Sequence, residues 1–260
     1  MNDRLRKTYD DIRPLLNTPE PFPVVETVEL HRQYWRPPTT KLVLLAESHV
    51  RTTEDELQRE VRVISGGCFG APSAYVRLVY CLGYGENHLL ESPITPNSGT
   101  VQFWKIFYSC LHPITSANDF SLLKKQTEPA ARVKTKIDIL TGLQAKGVWL
   151  LDASIVGLYD RQIQKIDQTT CRAILLASWT GYLRYVLQSA DPQGILCIGC
   201  GVATALQGEL SRFGVPWGVV PQPQARLATA EHDAIFNIYY QVANDPSKAG
   251  GFRKCKNFLQ

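Results

Sequence analysis

The 260-residue chain has no apolar run of the roughly 18 residues that cross a membrane as a helix; its best stretch, around 147–159, is interrupted by Asp152. No apolar segment follows the charged stretch Met1–Lys7, so no secretory leader is expected. Gly-x-Gly-x-x-Gly and Walker-type runs are also absent. Gly199-Cys200-Gly201 is only a fragment of one, which counts against a nucleotide enzyme built on a phosphate loop. There is no internal repeat and no low-complexity tract. Charge of one sign is scarce: 28 Lys and Arg against 24 Asp and Glu leave a net charge of +4. That mild basicity is compatible with a nucleic-acid partner and does not require one.

What the chain does have is enough apolar material for a core. Hydrophobic residues make up 44% of it, which excludes global disorder and suits one sizeable α/β domain or two small ones. The seven cysteines are odd in number and sit in apolar contexts, which reads as reduced thiols of a cytoplasmic protein. Cys197 and Cys200 have C-x-x-C spacing, yet no second pair accompanies them, so neither a metal nor a cofactor is expected.

Residues 2–17 read as an amphipathic helix with Leu5, Tyr9, Ile12 and Leu15/Leu16 on its apolar side. Pro19, Pro21 and Pro23 then suggest an extended lead-in through residue 40. Strands are expected at Lys41–Ala46, Val148–Leu151, Ile195–Ile198 and Val215–Val220. Between them, residues 51–66 open like a helix, 75–82 permit strand or helix, and 101–111, 116–146, 171–190, 203–213 and 230–244 read as helical. The charged group Lys124, Lys125, Arg132, Lys134 and Lys136 reads as a solvated helix face. Residues 245–260 read as a polar tail. Strands alternating with helices imply a three-layer α/β/α domain with a mainly parallel central sheet. Its expected span is 41–230, with 1–40 as an N-terminal helix and proline-rich segment and 231–260 as a C-terminal helix and tail.

Three distant segments carry the chemistry: Leu44–Val50, Gly147–Ser154 and Pro221–Arg226. The first two are apolar runs closed by a carboxylate, the pattern of a buried parallel strand ending at a site. The third is a proline-punctuated turn after Trp217–Val220. In order and spacing, these segments resemble the uracil-DNA glycosylase superfamily. The stretch Gln102–Phe107 resembles the Phe-Trp-Lys segment of mismatch-specific thymine/uracil glycosylases. Gly147–Asp152 resembles the family strand Gly-Val-Leu-Leu-Leu-Asn, Ile195–Leu206 a strand–helix unit with Gly and Ala, and Gln222–Arg226 the final His-Pro-Ser-Ala-Arg motif. The resemblance spans 41–230 and departs from the family at several motif positions.

The resemblance implies a uracil-DNA glycosylase-like fold and a monofunctional enzyme that flips a base from single- or double-stranded DNA and hydrolyses its N-glycosidic bond. Such a site needs an anion beneath the sugar, a placed water and donors facing the base. Glu47 is the candidate for the first two tasks, because Ser48 stands where relatives carry an Asp. Gln222 replaces a His that donates to the base, and its amide donates without transferring a proton. Asp152 stands in place of the family Asn that reads uracil. A carboxylate accepts from the amine of cytosine, and a protonated one also donates to N3; an apolar pocket is expected to favour the protonated form. Val50, smaller than the family Tyr, leaves room at C5. Together these suggest a C5-modified cytosine, hydroxymethylcytosine or its glucosylated form, and thus an antiphage role. Ser48, Val50, Tyr80, Phe103 and Asp152 are the candidate base-pocket residues. His49, Asn97, Thr100, Gln224 and Arg226 are the candidate DNA contacts, and no Lys falls within the three motifs to form a Schiff base.

Alternatives stay open at this point: a uracil, mismatch or damaged-base repair glycosylase, a catalytically inactive nucleic-acid-binding relative, and an α/β enzyme acting on a small molecule. A monomer in the cytoplasm, or with the DNA of a nucleoid or nucleus, is expected, without membrane attachment.

Overall fold

The computed structural model describes residues 2–62, 70–159, 166–222 and 229–252. Four strands, β1 (Leu42–Ala46), β2 (Val148–Asp152), β3 (Gly194–Ile198) and β4 (Trp217–Val220), form one sheet. Their order is β2-β1-β3-β4 and every pairing is parallel. All strand residues are buried, which accounts for their unbroken apolar composition: both faces are covered by helices. The protein is therefore α/β, a parallel sheet flanked by helices, as the sequence pattern implies.

The helices are α1 (Asn2–Ile12), α2 (Phe22–Tyr34), α3 (Glu54–Leu57), α4 (Val101–Leu111), α5 (Pro129–Lys146), α6 (Gln168–Ser178), α7 (Arg184–Ala190), α8 (Cys200–Phe213) and α9 (Thr229–Asn244). Helix α4 packs on α5 and α9, and α6 packs on α1 and α8. A π-helical turn at Trp179–Leu183 joins α6 to α7. One continuous apolar cluster runs from Leu5 to Ala249, so the N-terminal helices share the core of the sheet.

The structure departs from the sequence reading in four places. The proline segment is not an extended lead-in to residue 40: α2 begins at Phe22, directly after Pro21, with Pro23 inside its first turn. Proline costs little there, because the first-turn N–H groups have no partner within the helix. Over its described part, 51–62, the segment expected to be helical contributes only the short α3, opened by a Thr53–Glu56 capping box. Residues 75–82 are turns rather than a strand or helix. The segment after α9 is not a loose tail over its described part: it forms a 3₁₀ turn at Pro246–Gly251, and the carbonyl of Phe252 accepts from the amide of Val219 at 2.6 Å, covering the β4 edge. Gly218 permits this approach, since a Cβ there would lie 2.0 Å from the carbonyl oxygen of Ala249.

The opposite edge strand, β2, is covered too. The Leu150 amide donates to the Tyr80 hydroxyl at 2.7 Å, and the Trp149 indole donates to the Arg32 carbonyl at 2.9 Å. A side chain and α2 thus satisfy an edge that carries a site residue at its end.

Candidate functional site

Parallel register sets the site. Ala46 pairs with Asp152, Leu45 with Cys197, and Cys197 with Val219, so the ends of all four strands lie on one edge. The ladder runs slightly further there: the amide of Ala153 donates to the carbonyl of Ala46 at 2.7 Å, and that of Ser154 to the carbonyl of Glu47 at 3.0 Å. At this edge a cavity of about 460 Å³ opens. Glu47, Ser48, His49 and Val50 from the β1 end, Asp152 from the β2 end and Gln222 beyond β4 all line it. Residues of the three segments singled out in the sequence therefore meet at one pocket, the third through Gln222, and Thr100 and Phe103 from α4 and its approach join them.

Gly199 makes one wall possible. Its φ is +103°, and a Cβ there would stand 2.7 Å from Cγ of Gln222. Only glycine meets both the backbone angle and the contact without strain.

Glu47 is buried, and its Oε2 accepts a short hydrogen bond from the Tyr159 hydroxyl. The Cys171 thiol lies 3.8 Å from its Oε1. Burial raises the pKa of Tyr159, and the Glu47 carboxylate raises it further, so Tyr159 acts as a donor to Glu47. Gln222 also bonds to the Tyr159 hydroxyl. Tyr159 thereby ties together two candidate site residues.

Asp152 has an environment that the apolar run around it conceals. Arg32, on α2, places an NH2 nitrogen 2.5 Å from its Oδ2, and His49 Nδ1 lies 3.5 Å from the same oxygen. Nε2 of His49 lies 2.8 Å from Glu20 Oε2, while Arg32 NH1 is 3.5 Å from Glu29 Oε2. Glu20 further accepts from the amides of Thr52 at 2.7 Å and Gly157 at 3.0 Å, fixing the loops that follow β1 and β2. All five charged side chains are buried. Burial pushes the Asp152 carboxyl upward, but the Arg32 charge and the His49 contact prevail and hold it below the usual carboxylate range. Burial disfavours His49 protonation, and the Glu20 charge and the bonds to Asp152 and Glu20 outweigh it, raising its pKa to about 9. The raised pKa favours an imidazolium, whose Nε2 meets Glu20 at 2.8 Å and whose Nδ1 lies 3.5 Å from Asp152 and 3.4 Å from Arg32 NH2. The expectation of a protonated Asp152 is overturned: the cation that ionises it sits 120 residues away in sequence.

Other expected site residues fall elsewhere. Tyr80 does not line the cavity; its ring stacks on Phe107 at 5.9 Å and its hydroxyl serves the β2 edge. Asn97 is spent within its own loop, accepting from Tyr75 and Gly85 and donating to Gly83 and Asn87, and has no donor left for DNA. His49 is likewise enclosed by its carboxylates and does not reach out to a phosphate. The Ser48 hydroxyl accepts from the Leu158 amide at 3.1 Å and donates to the His49 carbonyl, so it links two loops. Val50 is half-buried at the pocket wall, bridged to Tyr159. Gln224 and Arg226 lie outside the described residues.

The structure adds wall residues the sequence did not single out, Arg77 and Tyr159, and also places on the wall Tyr84, one of the tyrosines suited to stack on a base, and Lys125 from the charged group. Arg77 is engaged by Glu56 at 2.8 Å and lies over the Tyr84 ring at 5.8 Å. Of the basic group read as a solvated face, Lys134 pairs with exposed Asp138, whereas Arg132 and Lys136 clamp buried Glu86 at 2.6 and 2.7 Å. Lys125 is exposed and stands on the cavity wall.

Among the described cysteines the reading changes at Cys200, which is disulfide-bonded, while Cys81, Cys110, Cys171 and Cys197 are free and buried. Among the described residues no group of His, Cys, Asp or Glu side chains is placed to hold a metal ion, and no helix is long and apolar enough to cross a membrane. No protein-family model, curated protein or solved structure matches the chain.

Proposed function

We propose that the chain is a monofunctional DNA glycosylase of the uracil-DNA glycosylase type, acting on a flipped-out cytosine-type base, and that a C5-modified cytosine such as hydroxymethylcytosine or its glucosylated form is its target. The observation that carries this reading is the meeting of Glu47, Asp152 and Gln222 at one cavity on the C-terminal edge of a parallel sheet. A volume of about 460 Å³ accommodates a single base with a substituent, and Tyr84 and Phe103 on the wall offer aromatic faces for it.

In this reading the sugar sits above Glu47. Its carboxylate stabilises the oxocarbenium-like transition state and orients the attacking water. Tyr159 fixes the carboxylate by donating to one oxygen. As the glycosidic bond breaks, its electron pair leaves on the base, and the Gln222 amide donates toward the charge that develops there. Asp152 accepts from the exocyclic amine of the base. Because Asp152 is held ionised, it offers no proton to N3, so leaving-group stabilisation falls to Gln222 and solvent. Lys125 is suited to a backbone phosphate at the cavity mouth.

The test is base release from oligonucleotides that each carry one cytosine-type or uracil-type base, read by alkaline cleavage at abasic sites. Release from the modified cytosine that disappears in Glu47→Gln supports the reading. Release of uracil in preference to every cytosine overturns the assigned base.

A further inference from the structure

The buried charges beneath the pocket are the feature the glycosylase reading leaves unexplained. Three carboxylates (Glu20, Glu29, Asp152) and two cations (Arg32, His49) share one enclosed network. Its stabilising value alone does not account for it, since buried ion pairs are often no better than apolar residues of equal volume. Its geometry is one-sided. Both cations address Oδ2 of Asp152, at 2.5 and 3.5 Å, and Asp152 lines the cavity.

A carboxyl in a pocket can take two forms with different recognition. Protonated, it both donates and accepts, and it pairs with a carbonyl or an amine. Ionised, it only accepts. We propose that Arg32 and His49 are specificity-determining positioning residues: they hold Asp152 as a carboxylate engaged on one oxygen, so at Asp152 the pocket presents an acceptor alone and there takes an amino-bearing base edge in preference to a carbonyl-bearing one. The identity of the ligand as a base rests on the glycosylase reading; the acceptor-only character of the Asp152 position does not.

The surrounding elements support a fixed arrangement. Arg32 cannot swing away, because NH1 meets Glu29, whose other oxygen accepts from Gln33 at 2.6 Å. His49 is pinned from behind by Glu20, itself tied to two backbone amides. Tyr80 faces Asp152 and Tyr182 faces Glu29, and burial raises both phenols, so they remain neutral and leave the charge pattern intact. Discrimination follows from repulsion as much as attraction: a carbonyl set against a fixed anion has no proton between the two oxygens.

Two measurements test this. Wild-type protein with carbon-13-labelled Asp carboxyls is titrated by NMR, and Asp152, identified by its loss in Asp152→Asn, is expected to titrate below the ordinary aspartate range. Binding of free cytosine and free uracil is then compared in wild type and His49→Gln, together with release of each base from DNA. Removal of the imidazolium is expected to raise the Asp152 titration and to lower the cytosine-to-uracil preference about tenfold. A merely structural role for His49 would weaken both ligands equally and leave the ratio unchanged, which overturns the proposal, as does an Asp152 that titrates above the ordinary aspartate range in wild type. If cytosine is preferred but no base is ever released, the glycosylase reading fails and this inference stands. If bases are released without a preference that depends on His49, the reverse holds.

Discussion

His49 gives the folded state a specific dependence on pH. Its pKa rises from an ordinary 6.5 to about 9 because it lies between Glu20 and Asp152. A group whose pKa is raised on folding stabilises fully below its unfolded value and loses that contribution as the pH climbs through its folded value. The window is therefore pH 6.5 to about 9, and a rise of this size corresponds to about 3 kcal/mol. Solvent screening does not reduce it, since the His49 side chain is fully enclosed. Urea unfolding at intervals from pH 6 to 9.5 measures the effect. Buried thiols contribute a slope of the same sign toward the alkaline end, because burial pushes Cys81 up to about 11 and Cys110 and Cys197 to about 12. The quantity to read is therefore the difference between wild type and His49→Gln. The wild type should lose about 3 kcal/mol more than the variant across the window. Parallel curves would refute the buried imidazolium and with it the account of Asp152.

Other perturbations have distinct expected outcomes. Glu47→Gln should lower base release by roughly two orders of magnitude with little change in unfolding midpoint, whereas Tyr159→Phe, which removes the hydroxyl donor to the carboxylate, should lower it about tenfold; equal, small effects would remove Glu47 from the chemistry. Arg32→Met takes the cation from buried Glu29 and leaves Asp152 with His49 alone, and should cost about 3–5 kcal/mol in urea unfolding. Gly199→Ala should disturb the Gln222 wall and reduce base release more than stability, checked by comparing kcat with the unfolding midpoint. Lys125→Ala should weaken DNA binding for every sequence alike and reduce the salt dependence by about one unit of slope. Because Lys125 is a pocket lysine outside the three motifs, borohydride trapping of a covalent adduct would contradict the monofunctional mechanism.

The strands were legible because a parallel strand buried on both faces needs an unbroken apolar run, and Leu42–Ala46 and Val148–Leu151 are such runs. Their parallel register then puts Glu47 and Asp152 on one edge, which is why the pocket could be anticipated from segments about a hundred residues apart. Helix α2 was hidden because its prolines read as extended chain, while the structure uses them in the first turn of a helix. That omission concealed Arg32 and Glu29, and so the ionisation of Asp152. Local sequence shows the apolar neighbours of a carboxyl but not a guanidinium delivered by another element. The aromatic assignment failed at Tyr80, though not at Phe103, for a related reason. Tyr80, Tyr84 and Tyr159 differ in tertiary position rather than in local pattern: Tyr80 satisfies the β2 edge, while Tyr84 and Tyr159 face the cavity.

The measurement that bears most directly on the central claim is a base-release panel. Duplex and single-stranded oligonucleotides, each with uracil, cytosine, hydroxymethylcytosine or glucosylated hydroxymethylcytosine at one position, are incubated with wild type and Glu47→Gln and then cleaved with alkali. The account predicts abasic sites at the C5-modified cytosines with wild type, few or none at uracil, and loss of cleavage in the variant. Intact strands for every base with folded wild-type protein, or cleavage that persists unchanged in Glu47→Gln, would contradict it.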